Sequence, residues 1–358
     1  MKLRTLVISV VLLAGLAVAA YLKNRPEPPP PADARVGLPL LDPDTVSRAA
    51  GLTVSDQGKK VDLRKGADGV WTVASYYDMP ADFEKISRLA QDLNEAKVER
   101  FVTDNPDRLS HLEFKDSRIA LEDATGKEIW SVTLGKTPDT GNGRFIRFGD
   151  ETKAYFSGVH VWLDTEAKGW ADAQIVGLKP EDIAKVGIPF ADGSSLVVSR
   201  PKKDAPWVAS SPTQKVVAEK INSLVNALTG LRFSETVDPK AAAATDAAPF
   251  MKAYTLTTFD GRTLSIAMGR KPEVKKLKAP TADAAALIPP ADGKTEVKPI
   301  TPEFDTTPAG PVFVSISSSD AHAAVNALMK KRAFQVDDYT FTALPQKASD
   351  VVEADKPK

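Results

Sequence analysis

V-D-L-R-K-G-A-D-G-V-W-T-V at residues 61–73 returns as V-V-S-R-P-K-K-D-A-P-W-V-A at residues 197–209. Trp71 and Trp207 stand 136 residues apart, and Val61/Val197 and Arg64/Arg200 keep that spacing. Downstream, K-I-S-R-L-A-Q-D-L at 85–93 meets K-I-N-S-L-V-N-A-L at 220–228, an offset of 135 shared by Leu121/Leu256 and Gly126/Gly261. Trp130, Val132, Leu134 and Gly135 then fall on Leu264, Ile266, Met268 and Gly269 at an offset of 134. Offsets that change by one residue only at turns read as a duplicated domain, and repetition fixes architecture before any motif is weighed.

Each copy reads as strands around one helix. Phe83, Ile86, Ala90 and Leu93 recur at spacings of three and four, an apolar stripe on a helix face. Val217, Ile221, Leu224, Leu228 and Leu231 form its counterpart, with Ser211 as cap, Pro212 at the first helical position and Gln214 after it. Ile119 and Leu121, then Trp130, Val132 and Leu134, alternate as half-buried strands around a turn at Gly126; Gly261 marks the matching turn. A further hairpin is expected from 144–148 and 153–156, broken by Gly149 and Asp150. The fold class is therefore α+β: two tandem homologous repeats, each a mostly antiparallel sheet packed on a long helix.

The expected boundaries follow composition. Residues 1–25 form an N-terminal membrane anchor, 26–40 a Pro-rich linker, 41–177 repeat 1, and 178–344 repeat 2. Residues 270–310, rich in Pro, Ala and Lys, lack apolar periodicity and are expected to be a disordered insert; 345–358 are expected to be a disordered tail. The stretch P-K-A-A-A-A-T-D-A-A-P at 239–249 reads as another loop, and V-H-V-W-L-D-T-E-A at 159–167 as a helix closing repeat 1.

The anchor is the most specific signal. Lys2 and Arg4 precede an uncharged run at 5–22, and Lys23, Asn24 and Arg25 follow it. Roughly 20 apolar residues cross a bilayer core of about 30 Å, so this run reaches. Ala17-Val18-Ala19 fits a cleavage site, but the run is longer than a signal-peptide core, and Tyr21 with the basic residues beyond it suits a retained anchor. With no second apolar span, the repeats lie on one side of the inner membrane, expected to be the periplasmic, extracytoplasmic one. Lys plus Arg equals Asp plus Glu at 47 each, which gives no field for nucleic acid, and with no Cys there is no disulfide, thiolate metal site or Cys nucleophile.

The chemical motifs are weak. Asp139-Thr140-Gly141 has the aspartic-protease triplet, but that chemistry needs two carboxylates sharing a proton. The second copy has Gly269-Arg270-Lys271-Pro272 at the matching place, and Asp305-Thr306-Thr307 lacks the Gly, so the triplet reads as a turn. Gly135-Lys136-Thr137 lacks the upstream Gly of a phosphate loop, with Trp130 there instead. His111, His160 and His322 show no metal-ligand spacing, although Asp164 would stand one turn from His160 on a helix. Trp71 and Trp207 read first as clamps between helix and sheet and second as ligand platforms. Arg270, Lys271, Lys275, Lys276 and Lys278 form a basic run that reads as a solvated loop or a contact to anionic headgroups. No catalytic, cofactor-binding or metal residue and no cofactor is assigned.

The pattern W-T-V … M-P-A-D … I-S-R-L-A-Q-D-L … V-E-R, then S-R-I-A-L-E-D-A-T-G-K-E-I-W-S-V-T-L-G-K-T … G-R-F-I-R-F-G-D-E-T-K-A-Y-F, resembles the domain-of-unknown-function 4340 family from Trp71 to about Ile183, and more loosely through the second copy. The resemblance implies a bacterial protein with one N-terminal membrane segment, often encoded beside ABC-transporter components of the gliding-motility-auxiliary type, with no defined catalytic residues. Ser110-His111-Leu112 stands where the family usually has an aromatic-Gly-Leu motif. The expected function is that of a non-enzymatic, membrane-anchored accessory or scaffolding protein whose partners are the membrane and ABC transporter subunits, not nucleic acid. A cell-envelope glycan-binding module is the alternative, and an aspartic-type protease dimer using Asp139 comes third.

Overall fold

The computed structural model describes residues 33–139, 141–211, 214–277 and 304–353. The expected membrane run at 5–22, the middle of the insert and the last five residues lie outside them; among the described residues no helix is long and apolar enough to cross a membrane. The chain divides into two compact units between Ala171 and Asp172, a few residues before the boundary expected after 177.

Unit 1 is a nine-stranded antiparallel sheet. In chain order its strands are β1 (Gly51–Asp56), β2 (Lys59–Lys65), β3 (Trp71–Val73), β4 (Met79–Pro80), β5 (Val98–Thr103), β6 (Arg118–Glu122), β7 (Glu128–Leu134), β8 (Arg144–Phe148) and β9 (Ala154–Ser157). Their order across the sheet is β4-β3-β2-β1-β6-β7-β8-β9-β5. Register sets the core: Leu52 sits between Leu63 and Leu121, and Val54 between Val61 and Ile119, all buried. Between β4 and β5 runs the helix Phe83–Glu95, begun by Asp82, whose side chain accepts from the Lys85 N–H at 3.2 Å. It buries Leu89 and Leu93, each contributing about 2 kcal/mol.

Unit 2 comprises β10 (Ile183–Pro189), β11 (Ser195–Ser199), β12 (Val208–Ala209), β13 (Glu235–Val237), β14 (Lys252–Thr258), β15 (Thr263–Gly269), β16 (Val274–Leu277), β17 (Phe304–Thr307), β18 (Val312–Ser318) and β19 (Ala333–Val336). Eight form an antiparallel sheet in the order β12-β11-β10-β14-β15-β18-β19-β13. The helix Ala218–Thr229, between β12 and β13, buries Ile221, Leu224, Val225 and Leu228. The expected mixed α+β class with large antiparallel sheets is what the chain adopts.

Two glycines, Gly135 after β7 and Gly269 at the end of β15, are required for the same reason. A Cβ at Gly135 would lie 2.5 Å from the Leu112 carbonyl oxygen, and one at Gly269 would lie 2.5 Å from that of Phe250. Only glycine lets backbone pass so close.

Several expectations are corrected. Residues 159–167 form no helix: the chain runs irregularly from β9 to a 3-10 turn at Ala167–Trp170. The second helix starts at Ala218, not near Ser211, because Val217 N–H donates to the Val351 carbonyl at 2.9 Å and Val216 bridges Val352. Tertiary pairing overrides the capping signal there. The same contacts remove the expected tail up to residue 353, since Val351 is fully buried. The alanine-rich stretch is no loop: Ala242–Ala247 is a helix that seats Ala244 and Ala247 with Phe313, alanine being the strongest helix former and small enough to lie close. Residues 33–40 belong to unit 1 and not to a linker, with Gly37 N–H donating to Val98 (2.8 Å), Leu40 N–H to Ala96 (2.9 Å), and Leu40 buried. The described ends of the expected insert pair as an exposed ribbon, β16 with β17.

Candidate functional site

Between β9 and the 3-10 turn, the sequence V-H-V-W-L alternates in burial. Val159 and Leu163 are buried, while His160 and Trp162 face out; Trp162 is 88% exposed. A large aromatic left this open in a segment held at both ends is the most unusual surface feature of unit 1. The hold is specific. Trp170, buried, donates its indole N–H to the Asp164 carbonyl at 2.8 Å, and Glu166 N–H donates to the Asp164 carboxylate at 2.9 Å. Lys85, on the first turn of the helix Phe83–Glu95, pairs with the Asp164 carboxylate, donates to the Gly169 carbonyl at 2.8 Å and lies 4.5 Å above the Trp170 ring. At the start of that helix, Asp82 N–H donates to the Trp170 carbonyl at 2.8 Å.

A groove lies on either side of the Trp162 strap, and Trp162 lines both. The first, of about 390 Å³, runs against the helix and is lined by Asp82, Glu84, Lys85, Arg88 and Asp92. The second, of about 340 Å³, runs against the β1–β2 hairpin and the start of β8 and is lined by Asp56, Gln57, Lys115, Asp116, Lys136 and Arg144. Within it the carboxylates serve their own loops: Asp56 accepts from the Ser117 hydroxyl, and Asp116 accepts from the Gly58 N–H, which holds its carboxyl below the usual range. Arg144 differs. Its Nε donates to the Gly135 carbonyl at 3.1 Å, and partial burial makes its cation easier to neutralise, a tendency the nearby Asp56 opposes.

Of the residues singled out in the sequence, Gly135 and Lys136 line the second groove, Asp164 lines the first and His160 lies on the strap; the others lie elsewhere. Trp207 is 6% exposed, donates to the Asn222 amide oxygen at 2.8 Å and carries the Arg200 guanidinium 4.6 Å from its ring, so it clamps helix Ala218–Thr229 and has no free face for a ligand. Trp71 is half-buried on β3. Asp139 is exposed on a turn closed by Gly141 N–H donating to the Pro138 carbonyl at 2.9 Å, and Asp305 sits in the exposed ribbon of unit 2. His111, His160 and His322 are all exposed. Of the basic run, Arg270 pairs with Asp338 and Lys271 with Asp246. Among the described residues, no group of three or more His, Asp or Glu is arranged to hold a metal ion. Sequence reasoning missed Trp162, Arg144 and Lys85; the period-two alternation at 159–163 is the signal that could have found the first.

The fold and this face define a class: an α+β protein of antiparallel sheets with an open, charged surface site around one aromatic. The family model described as domain of unknown function (DUF4340) matches residues 71–257, more than half of the chain, and the chain belongs to that family. Trp162 and Arg144 both fall within the matched span. No curated protein and no solved structure matches the chain.

Proposed function

We propose that this protein is a membrane-anchored, extracytoplasmic accessory protein that acts by binding rather than catalysis, and that its ligand is a polymer of the cell envelope. The observation that carries the reading is Trp162, 88% exposed and flanked by two grooves lined with charged side chains. Such grooves suit a hydroxyl-rich chain, which exchanges water for hydrogen bonds, while the indole face supplies the apolar contact. The anchor rests on the uncharged run at 5–22 with basic residues on both flanks.

Two tandem homologous repeats fit this reading. With β4 set aside, the two strand orders are superimposable, β3-β2-β1-β6-β7-β8-β9-β5 on β12-β11-β10-β14-β15-β18-β19-β13. The helix falls at the same point in each, and Gly135 and Gly269 meet the same kind of obstacle.

Association with an ABC-type transport complex is the second reading; it rests on the gene neighbourhood that the sequence resemblance implies. Copurification from native membranes in a gentle detergent separates the two. Transporter subunits recovered by the wild type and lost with Trp162→Ala would make Trp162 a protein-docking residue. Envelope polysaccharide lost with the same substitution supports the polymer, and recovery of neither overturns both.

A further inference from the structure

The groove beside the β1–β2 hairpin contains an unmatched donor set. Arginine carries N–H groups on three nitrogens, and Arg144 commits only Nε, to the Gly135 carbonyl at 3.1 Å. Among the described residues its two terminal nitrogens have no hydrogen-bond or ion-pair partner. The guanidinium is partly withdrawn from water, which makes an acceptor brought to it worth more than at an open surface. Neither neighbouring carboxylate bonds these nitrogens: Asp56 accepts from Ser117 and Asp116 from the Gly58 N–H, and Asp56 acts on the guanidinium through its charge alone. Lys115 and Lys136 line the same groove, and Lys136 reaches Glu113 only at 4.0 Å.

We propose that this groove binds the carboxylate of an acidic sugar unit, with Arg144 gripping the carboxylate and Trp162 stacking on the apolar face of the sugar ring, so that the polymer recognised is an acidic polysaccharide. The inference rests on the polymer reading above and adds the charge of the ligand.

Charge complementarity sets the class. One guanidinium with free terminal nitrogens matches one carboxylate, in the two-pronged geometry that favours arginine. Asp56, Asp116 and Glu113 line the same groove and oppose any ligand charged at every unit, so a chain in which acidic and neutral sugars alternate, as in hyaluronan, fits better than polyphosphate, nucleic acid or a uronate homopolymer. A peptide would need a sheet edge or apolar pockets for its side chains, whereas charged residues are the largest group in this lining, six of thirteen. The groove on the far side of Trp162 extends the path, so a linear chain crosses the indole and offers its next hydroxyls to Asp82 and Asp92.

The test is calorimetric titration of the full-length protein, in mild detergent, with oligomers of galacturonate, alginate and hyaluronan, with their carboxyl methyl esters, and with a peptide ending in a free carboxylate. The expected result is binding of at least one acidic oligomer, weakened about tenfold or more by esterification. Arg144→Gln should lower affinity for the acid to that of the ester, and Trp162→Ala should weaken both. Trp162 is exposed, so its variant tests the site without a risk to folding, and Lys136→Gln, also on the surface, should weaken the acid only and by less. Equal binding of acid and ester overturns the carboxylate inference and leaves the polymer reading standing. Binding of none of the oligomers, or of the peptide alone, overturns both.

Discussion

The Lys85 ammonium pairs with the Asp164 carboxylate while lying 4.5 Å above the ring of Trp170. One cation thus fastens the first turn of the helix Phe83–Glu95 to the strap that carries Trp162. Both charged side chains are roughly a quarter to a third exposed, so solvent screening keeps the contribution modest. Lys85→Met is expected to cost about 1–2 kcal/mol, counting the ion pair and the cation–π contact. The specific sign is local. Amide hydrogen exchange at Glu166, whose N–H donates to Asp164, should accelerate more than exchange in β6 or β7. Unchanged protection at Glu166 would refute the fastening role.

Gly135→Ala and Gly269→Ala test the close approaches that end β7 and β15. Each new Cβ meets a backbone carbonyl oxygen at 2.5 Å, and backbone cannot swing aside as a side chain can. Both are expected to lose about 1–3 kcal/mol in denaturant unfolding. Gly177→Ala, with open space around its Cβ, is the control and should stay within about 0.5 kcal/mol of wild type. Loss in one unit and not in the other would break the parallel drawn between the two strand ends.

How far the sequence could be read depended on which residues set the pattern. Period-two runs such as Ile119, Leu121, Val132 and Leu134 point into the core, since burial alone dictates this spacing. The expected helix stripe holds only in part: Leu93 is buried, Ile86 and Ala90 are half-buried, Phe83 is 62% exposed, and Leu89 takes the other buried place. The spacing read from the two tryptophans says less about burial: Val61 is buried on β2, but Val197, 136 residues on, is not, and the buried residues of β11 are Leu196 and Val198. A shift of one residue exchanges the faces of a strand, so such a spacing alone does not place a side chain in the core. Long-range pairing explains the other misses: the start of the helix Ala218–Thr229 is set by Val351 and Val352, far away in sequence. The site was least legible: the alternation at 159–163 marks which side chains face out, but nothing in it records that Trp162 is left 88% exposed.

Trp207 and Asn222 offer a direct measure of the helix clamp in unit 2. Trp207→Phe keeps most of the apolar volume but removes the indole N–H, leaving the Asn222 amide oxygen without its donor. The expected loss is about 1–2 kcal/mol. Asn222→Ala on top of Trp207→Phe should cost less than it does in the wild type, giving a coupling energy of about 1 kcal/mol in a double-mutant cycle. Strict additivity would mean the bond does not hold helix to sheet.

Alkaline titration of Tyr254 follows from its burial in β14. Desolvation disfavours the phenolate and pushes the hydroxyl from its ordinary 10.0 up to about 12. Because the folded value lies above the unfolded one, the unfolded chain releases this proton first as pH rises. The contribution to stability is therefore fully present below about pH 10 and is lost progressively as pH climbs through about 12. Tyr155 is also raised by burial, so the wild-type curve alone does not isolate Tyr254. Subtracting the phenolate absorbance of Tyr254→Phe from that of the wild type removes every other tyrosine. The difference should titrate near pH 12, and over the same range the wild type should lose stability relative to Tyr254→Phe in denaturant unfolding. A difference signal centred near 10.0 in the folded protein would mean that water reaches the ring, and the packing of β14 against β10 and β15 would then be looser than the register between these strands implies.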